Sequence, residues 1–210
     1  KESFLADSKN INFLKLKTSY GLIGDQQGVG LWPGYDTYDV TDLNGDYAVT
    51  VRDNGNRDLT WETAKIFQVG VESSLFGFLD VNLDYYIKNT DDLIFQRRTP
   101  PSSGVALVTV NDGQLRNTGL EFDLKAQVIK HSGTGFNLEL AVNGEYLKNE
   151  ITTMPIDPAT GAPKFLDNSN SPYGWTKGGS VYDFYLREWA GVNAATGSGL
   201  WNQYYNDINA

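Results

Sequence analysis

Over long stretches of this chain, apolar and polar residues alternate one by one. The clearest stretch runs from Trp61 to Thr90. In its second half Leu79, Val81, Leu83, Tyr85 and Ile87 alternate with Asp80, Asn82, Asp84, Tyr86 and Lys88. Side chains of an extended strand point to opposite faces in turn, so the pattern predicts a strand with one apolar and one polar face. The first half is looser, with Phe67, Val69 and Val71 against Glu62, Gln68 and Glu72. Phe76-Gly77-Phe78 lies between them, and Gly77 supplies the positive φ of a tight hairpin. The stretch therefore reads as a β-hairpin.

The pattern recurs on both sides. From Asn12 to Leu22, Leu14, Leu16, Thr18, Tyr20 and Leu22 oppose Lys15, Lys17, Ser19 and Gly21. Gln114–Ile129 sets Leu120, Phe122, Leu124, Ala126 and Val128 against Glu121, Asp123, Lys125 and Gln127. Phe136–Glu150 returns with Phe136, Leu138, Leu140, Val142 and Tyr146 opposite Asn137, Glu139, Asn143, Glu145 and Asn149. Ser180–Val192, aromatic and mixed, is a further strand candidate, and Leu200–Tyr205 opens another. Asp91–Thr99 either continues the central hairpin or breaks it.

The connections alternate in length. Long ones are expected at 25–58, 95–113 and 154–178, and short ones at 76–78, 131–134 and 193–199. The first long one reads mostly as loop, with room for a short hairpin around Asp46–Arg52. The second contains the irregular Pro100-Pro101-Ser102-Ser103-Gly104 and a short apolar run, Val105–Val110. Residues 1–10 read as irregular. In an up-and-down sheet this alternation gathers the short turns at one end and the long loops at the other, as in outer-membrane barrels. The strands also exceed the roughly 5–6 residues usual in soluble proteins and suit the roughly 9–11 that cross a bilayer. The apolar faces carry almost no charge in mid-strand, as lipid contact requires, while the polar faces suit water. The competing reading is a soluble antiparallel sheet with one wet face and one core face, such as a carbohydrate-binding module. It requires Leu83, Phe122 and Leu140 to converge on a dry centre.

Composition narrows the chemistry. Lys+Arg number 17 against 26 Asp+Glu, a net charge of -9, which argues against nucleic acid as a partner. Cysteine is absent and His131 is the single histidine. Thiol catalysis, disulfides, histidine-based triads and multi-histidine metal centres are therefore excluded. No run approaches the roughly 20 apolar residues of a membrane-spanning helix, which leaves strands as the means of crossing.

Few constellations suggest a site. Asp80, Asp84, Glu121, Asp123, Glu139 and Glu145 offer carboxylate pairs, but alternation places acids on any solvated face, so no catalytic residue or cofactor is assigned. Asp42, Asn44, Asp46, Thr50 and Asp53 have the spacing of a calcium-type loop, although Tyr47 stands where that loop wants glycine and Asp53 is shorter than the usual Glu. An Asn44-Gly45 turn is the simpler account. Arg97-Arg98 reads as solvated loop charge. Trp32, Tyr35, Tyr173 and Trp175 lie in long loops, and flat aromatics there suit stacking on a ligand or contact with a partner protein. Tyr85, Tyr86, Tyr146 and Tyr185 are expected in an aromatic girdle at the lipid boundary.

Several strings also resemble a known family. Leu59-Thr60-Trp61-Glu62-Thr63-Ala64-Lys65, Val69-Gly70-Val71 and Leu83-Asp84-Tyr85-Tyr86-Ile87-Lys88 are similar to a run in SusC/RagA-like TonB-dependent transporters. So are Leu14–Gln26, Asn117-Thr118-Gly119-Leu120-Glu121, and Tyr185–Val192 with Ala195-Thr196-Gly197, in the same order along nearly the whole chain. The resemblance implies part of a plugged outer-membrane barrel of about 22 strands, in a Gram-negative bacterium. It implies import of glycans or peptides, a SusD-like surface lipoprotein as lid, and a TonB complex that energises uptake. No plug and no closing C-terminal strand is legible in residues 1–210, so the expectation is a partial barrel from the family's later half.

Overall fold

The computed structural model describes residues 5, 8–99, 104, 107–131, 133–157, 160–167 and 172–202. Expectations for residues 1–4, 6–7, 100–103, 105–106, 132, 158–159, 168–171 and 203–205 lie outside these. The described residues are all β. Five long strands form one antiparallel sheet in the order β1 (Ile11–Asp25), β4 (Glu62–Leu75), β5 (Leu79–Asp91), β8 (Gln114–Ile129) and β9 (Leu138–Thr153). Each pairs with the next in chain order among the five, so the sheet is an up-and-down meander. Asp25 pairs with Glu62, Thr63 with Asp91 and Gln114 with Thr153, which puts every long connection at one end. The turns at 76–78 and 130–137 lie at the other. At the tighter turn Phe76 and Gly77 both take positive φ, 55° and 75°.

The register joins like with like. One rung runs Leu16–Val71–Leu83–Phe122–Gly144 and the next Thr18–Val69–Tyr85–Leu120–Tyr146. The opposite face carries Lys15–Glu72–Asn82–Asp123–Asn143 and Lys17–Gly70–Asp84–Glu121–Glu145. Nothing described covers the apolar face: Leu16 is 76% exposed, Leu83 40% and Leu140 54%. Phe122 is half-buried, its ring lying over Gly144 on the neighbouring strand. These residues do not converge on a dry centre, which removes the soluble-module reading. The buried apolar residues among those described, Val110, Ile151 and Met154, all sit at the loop end.

In the connections, one expected hairpin proves longer and one open alternative is settled; one expected strand is corrected. The first long connection carries a longer hairpin than the one expected around Asp46–Arg52. It holds a ribbon of β2 (Thr37–Leu43) and β3 (Asp46–Asp53), because Val40, Val49 and Val51 alternate around an Asn44-Gly45 turn with φ 58° and 94° at its two residues. The second connection starts where Asp92 takes φ 57° and breaks the strand; β6 (Ile94–Arg98) then pairs with β7 (Leu107–Asn111). The strand expected over Ser180–Val192 is mostly absent. Val181, Tyr182, Phe184 and Tyr185 do not alternate, and Ser180 N donates to Asp183 Oδ2, folding a turn. β10 (Leu166–Asp167) pairs with β11 (Gly174–Trp175), and only β12 (Trp189–Val192) remains of the expected strand, paired with β13 (Gly199–Trp201).

Gly70 leaves a notch on the wet face in which the Asp84 carboxylate lies, and a methyl group there would collide with Asp84 Oδ1. Gly21 on the same face has open space around it. Gly70→Ala is therefore expected to lower stability by about 1–3 kcal/mol. Gly21→Ala should stay within about 0.5 kcal/mol. Urea unfolding midpoints of the full-length protein in lipid vesicles check the difference.

Candidate functional site

The wet face is laced side to side. Asp84, only 6% exposed, reaches over Gly70 to Lys17 on β1 at 3.0 Å, and Gln68 Nε2 donates to its other oxygen at 3.3 Å. Tyr86 leans over Gly119 in the opposite direction and donates its hydroxyl to Glu145 on β9. Lys15 pairs with Glu72 at 3.3 Å. In the Asp84 and Tyr86 contacts a glycine on the middle strand, Gly70 or Gly119, lets a side chain span three strands, whereas Lys15 and Glu72 face each other directly on adjacent strands. Several of the carboxylates that could have suggested catalysis are thus held by neighbours: Asp84 by Lys17, Glu145 by Tyr86, and Asp80 by Ser74 Oγ at 2.5 Å.

This corrects two girdle expectations. Tyr85 and Tyr146 share the apolar face, in mid-strand. Tyr86 lies on the wet face, because it follows Tyr85 and the pleat alternates. Tyr185 is in the third long connection, which reaches Glu188 because no strand forms over 180–188, and lies edge to face with Phe165 at 4.7 Å. Tyr20 on β1 joins the apolar face instead, opposite Phe67.

The four loop aromatics fall at the loop end in two connections. Trp32 and Tyr35 meet edge to face, with ring centroids 6.4 Å apart, and both are exposed. Tyr173 stacks on Phe184 at 5.3 Å, and Trp175 Nε1 donates to the Val181 carbonyl at 3.1 Å. The first pair is therefore open to solvent, while the second is partly engaged within its own loop.

The calcium-type spacing is not gathered into a loop. Asp42 Oδ1 accepts from Gly45 N at 2.7 Å, capping the β2–β3 turn. Asp53 lies at the far end of β3, seven residues beyond Asp46 and about 23 Å along an extended strand. It accepts from Thr37 Oγ1 at 2.7 Å and from Arg52 Nε at 2.9 Å. Asn44 occupies the turn itself, and Thr50 pairs with Asp39 across the ribbon.

The sequence reading missed the asparagines that tie the loop end together. Asn149 Oδ1 accepts from Ser180 Oγ at 3.0 Å and from Val181 N at 2.8 Å, seating the third connection on β9. Asn56 and Asn111 link the first two connections. Asparagine in a Gly- and Asp-rich loop reads as turn chemistry, so no pattern in the sequence set these apart.

An open antiparallel sheet, bare and apolar on one side and laced and charged on the other, is a segment of transmembrane β-barrel wall. The chain belongs to the family described as TonB dependent receptor-like, beta-barrel, whose sequence model matches residues 12–209. That family places it in an outer membrane. It is 32% identical over 209 residues to TonB-dependent receptor P3 of Formosa agariphila, covering 91% of this chain and 20% of that protein. To TonB-dependent receptor SusC of Bacteroides thetaiotaomicron it is 31% identical over 166 residues, covering 73% of this chain and 16% of the other. Among solved structures, the RagAB peptide importer in its 'open-open' state matches with a TM-score of 0.78 at 25% identity, over 97% of this chain and 22% of that one. Its 'closed-closed' state also matches with a TM-score of 0.78, at 26% identity over 95% and 21%. The chain thus spans about a fifth of the length of these relatives.

The base of the β2–β3 ribbon should respond to acid. The hydrogen bond from Thr37, then that from Arg52, holds the Asp53 carboxyl below its ordinary value of 3.8. A depressed carboxyl contributes stability that is fully present above the unfolded value and lost as pH falls through the folded one. The ribbon is therefore expected to be unchanged from pH 7 to about pH 5 and to loosen below about pH 4. A spin label at Tyr47, followed from neutral pH downward, should show this step, and Asp53→Asn should remove it.

Proposed function

We propose that this chain is part of the barrel wall of a TonB-energised nutrient importer in the outer membrane of a Gram-negative bacterium. The observation that carries the reading is the pairing of faces on strands of 13 to 16 residues. Side chains on one face are apolar and bare, and those on the other are charged and cross-linked. Strands of this length exceed the roughly 9–11 residues that cross a bilayer, so their loop ends stand in water. An unpaired strand edge is costly in hydrocarbon, so the outer edges of β1 and β9 are where further barrel strands would pair.

In this reading residues 1–210 are a partial barrel domain, and the plug, the TonB contact and the surface lipoprotein belong to the rest of the assembly. The wet face lines the interior. The long connections face outward, where Trp32, Tyr35, Tyr173 and Trp175 contact ligand or lid. No chemical reaction is assigned to this segment. The likeness to a peptide importer favours peptide as cargo, and the resemblance of the strand strings to a family that imports glycans or peptides keeps glycan as the second reading.

Two measurements on the full-length protein test the proposal. Leu83→Arg is expected to destabilise it in bilayers by about 2–4 kcal/mol, whereas the adjacent Asn82→Arg, facing the interior, should cost far less. Equal costs would remove the lipid-facing assignment. For ligand contact, Trp32→Ala and Tyr35→Ala should each weaken binding about two- to tenfold. Calorimetric titration with a defined peptide pool and, separately, an oligosaccharide pool reads both the loss and the cargo class.

A further inference from the structure

The first long connection (26–61) and the second (92–113) are joined by side-chain amides. Asn111, at the end of β7, donates to Thr60 O at 2.9 Å and to Asp92 O at 2.8 Å, and its Oδ1 accepts from Thr60 N at 2.6 Å. One side chain thus satisfies both backbone groups of Thr60, much as a neighbouring strand would. Asn56 reaches back from the first connection, donating Nδ2 to Thr109 O on β7 at 3.0 Å. Beside these, Ile94 N donates to Glu62 Oε1 at 2.7 Å. Asn56, Glu62, Thr109 and Asn111 are all half-buried, so the bonds of Asn56 to Thr109 and of Ile94 to Glu62 are partly shielded from water, while those of Asn111 to Thr60 and Asp92 stand at the exposed surface.

Asn56 also holds the aromatic turn. Its backbone N donates to Pro33 O at 2.8 Å, inside the turn closed by Tyr35 N on Trp32 O at 3.2 Å. Gly55 N donates to Asp36 Oδ1 at 2.9 Å, and any side chain at Gly55 would strike the Gly34–Tyr35 backbone. A continuous chain of bonds therefore runs from β7 through Asn56 to Trp32 and Tyr35.

We propose that Asn56 and Asn111 are positioning residues that lock the two long connections into one body carrying the Trp32–Tyr35 turn. The coupling stands on the bonds alone. Its consequence for capture rests on the reading of Trp32 and Tyr35 as ligand contacts.

Amide hydrogen exchange of the full-length receptor in detergent reads the coupling from both sides. Asn56→Asp keeps the acceptor that Asp58 N uses at 3.0 Å but removes the donor to Thr109. It is expected to speed exchange across residues 107–111 about three- to tenfold. Asn111→Ala should speed exchange across 56–61 by at least as much, with residues 79–87 unchanged as the folding control. Asn111→Asp, which keeps the acceptor for Thr60 N, should give a smaller rise and serves if the alanine variant does not fold. Exchange that rises only in the mutated connection would overturn the proposal. Trp32→Ala with unaltered ligand binding would remove the capture reading and leave the coupling result standing. Asn56→Asp with cross-connection exchange raised but binding unaltered would overturn the positioning role.

Discussion

Everything in this structure depends on one constraint: a single pleated sheet separates two environments, so each strand must sort its side chains residue by residue. A slip of one position would turn every apolar residue to the wrong face. The register is held by shape as well as by backbone hydrogen bonds. Asp84 lies over Gly70, Tyr86 over Gly119 and Phe122 over Gly144. Each side chain fits only where a glycine stands opposite it. Moving a strand by two residues, which would keep the faces sorted, would set these side chains against residues that carry their own. The glycine notches thus exclude the slips that hydrophobic patterning leaves open.

The two ends obey different rules. At the turn end the chain reverses tightly, and Asn12 Oδ1 accepts from Gly77 N at 2.8 Å to tie the hairpin to the neighbouring strand. The loop end builds short ribbons and joins them with asparagine amides. The β2–β3 and β6–β7 ribbons have two strands each, and such ribbons are marginal alone in water. Bonding one connection to the next is a way for them to share order. The acid-sensitive contact of Asp53 with Thr37 and Arg52 closes the base of the first ribbon in the same fashion.

The five long strands were legible because period 2 persists over them: β8 coincides with Gln114–Ile129 as read, and β5 with the alternation from Leu79. Legibility failed where period 2 failed. The run from Val181 to Tyr185 is rich in aromatics without alternating, and it folds as turns. The β2–β3 ribbon was under-read because Thr and Asp interrupt its valines, although the Asn44-Gly45 turn marked its centre. At the site, residue types were readable and partners were not. Tyr86 looks like a girdle residue until its place on the wet face is known, and the spacing from Asp42 to Asp53 looks like a loop until a ribbon draws it out straight. Asn56 and Asn111 act through backbone groups distant in sequence, and a single sequence carries no trace of that pairing.

Cohesion in such a sheet cannot come from a core in the ordinary sense. Lipid tails are as apolar as leucine, so packing Leu83 beside Phe122 gains little from the hydrophobic effect once both touch hydrocarbon. Hydrogen bonds between strands and the lacing of Lys17 to Asp84 and Tyr86 to Glu145 must hold the sheet across the membrane. Above it water returns, and with it the hydrophobic effect. It is there that Val110, Ile151 and Met154 are buried. The change from lacing on the long strands to burial at their loop end and in the connections marks the passage from membrane to water, and it places the amide-linked connections on the watery side of that boundary.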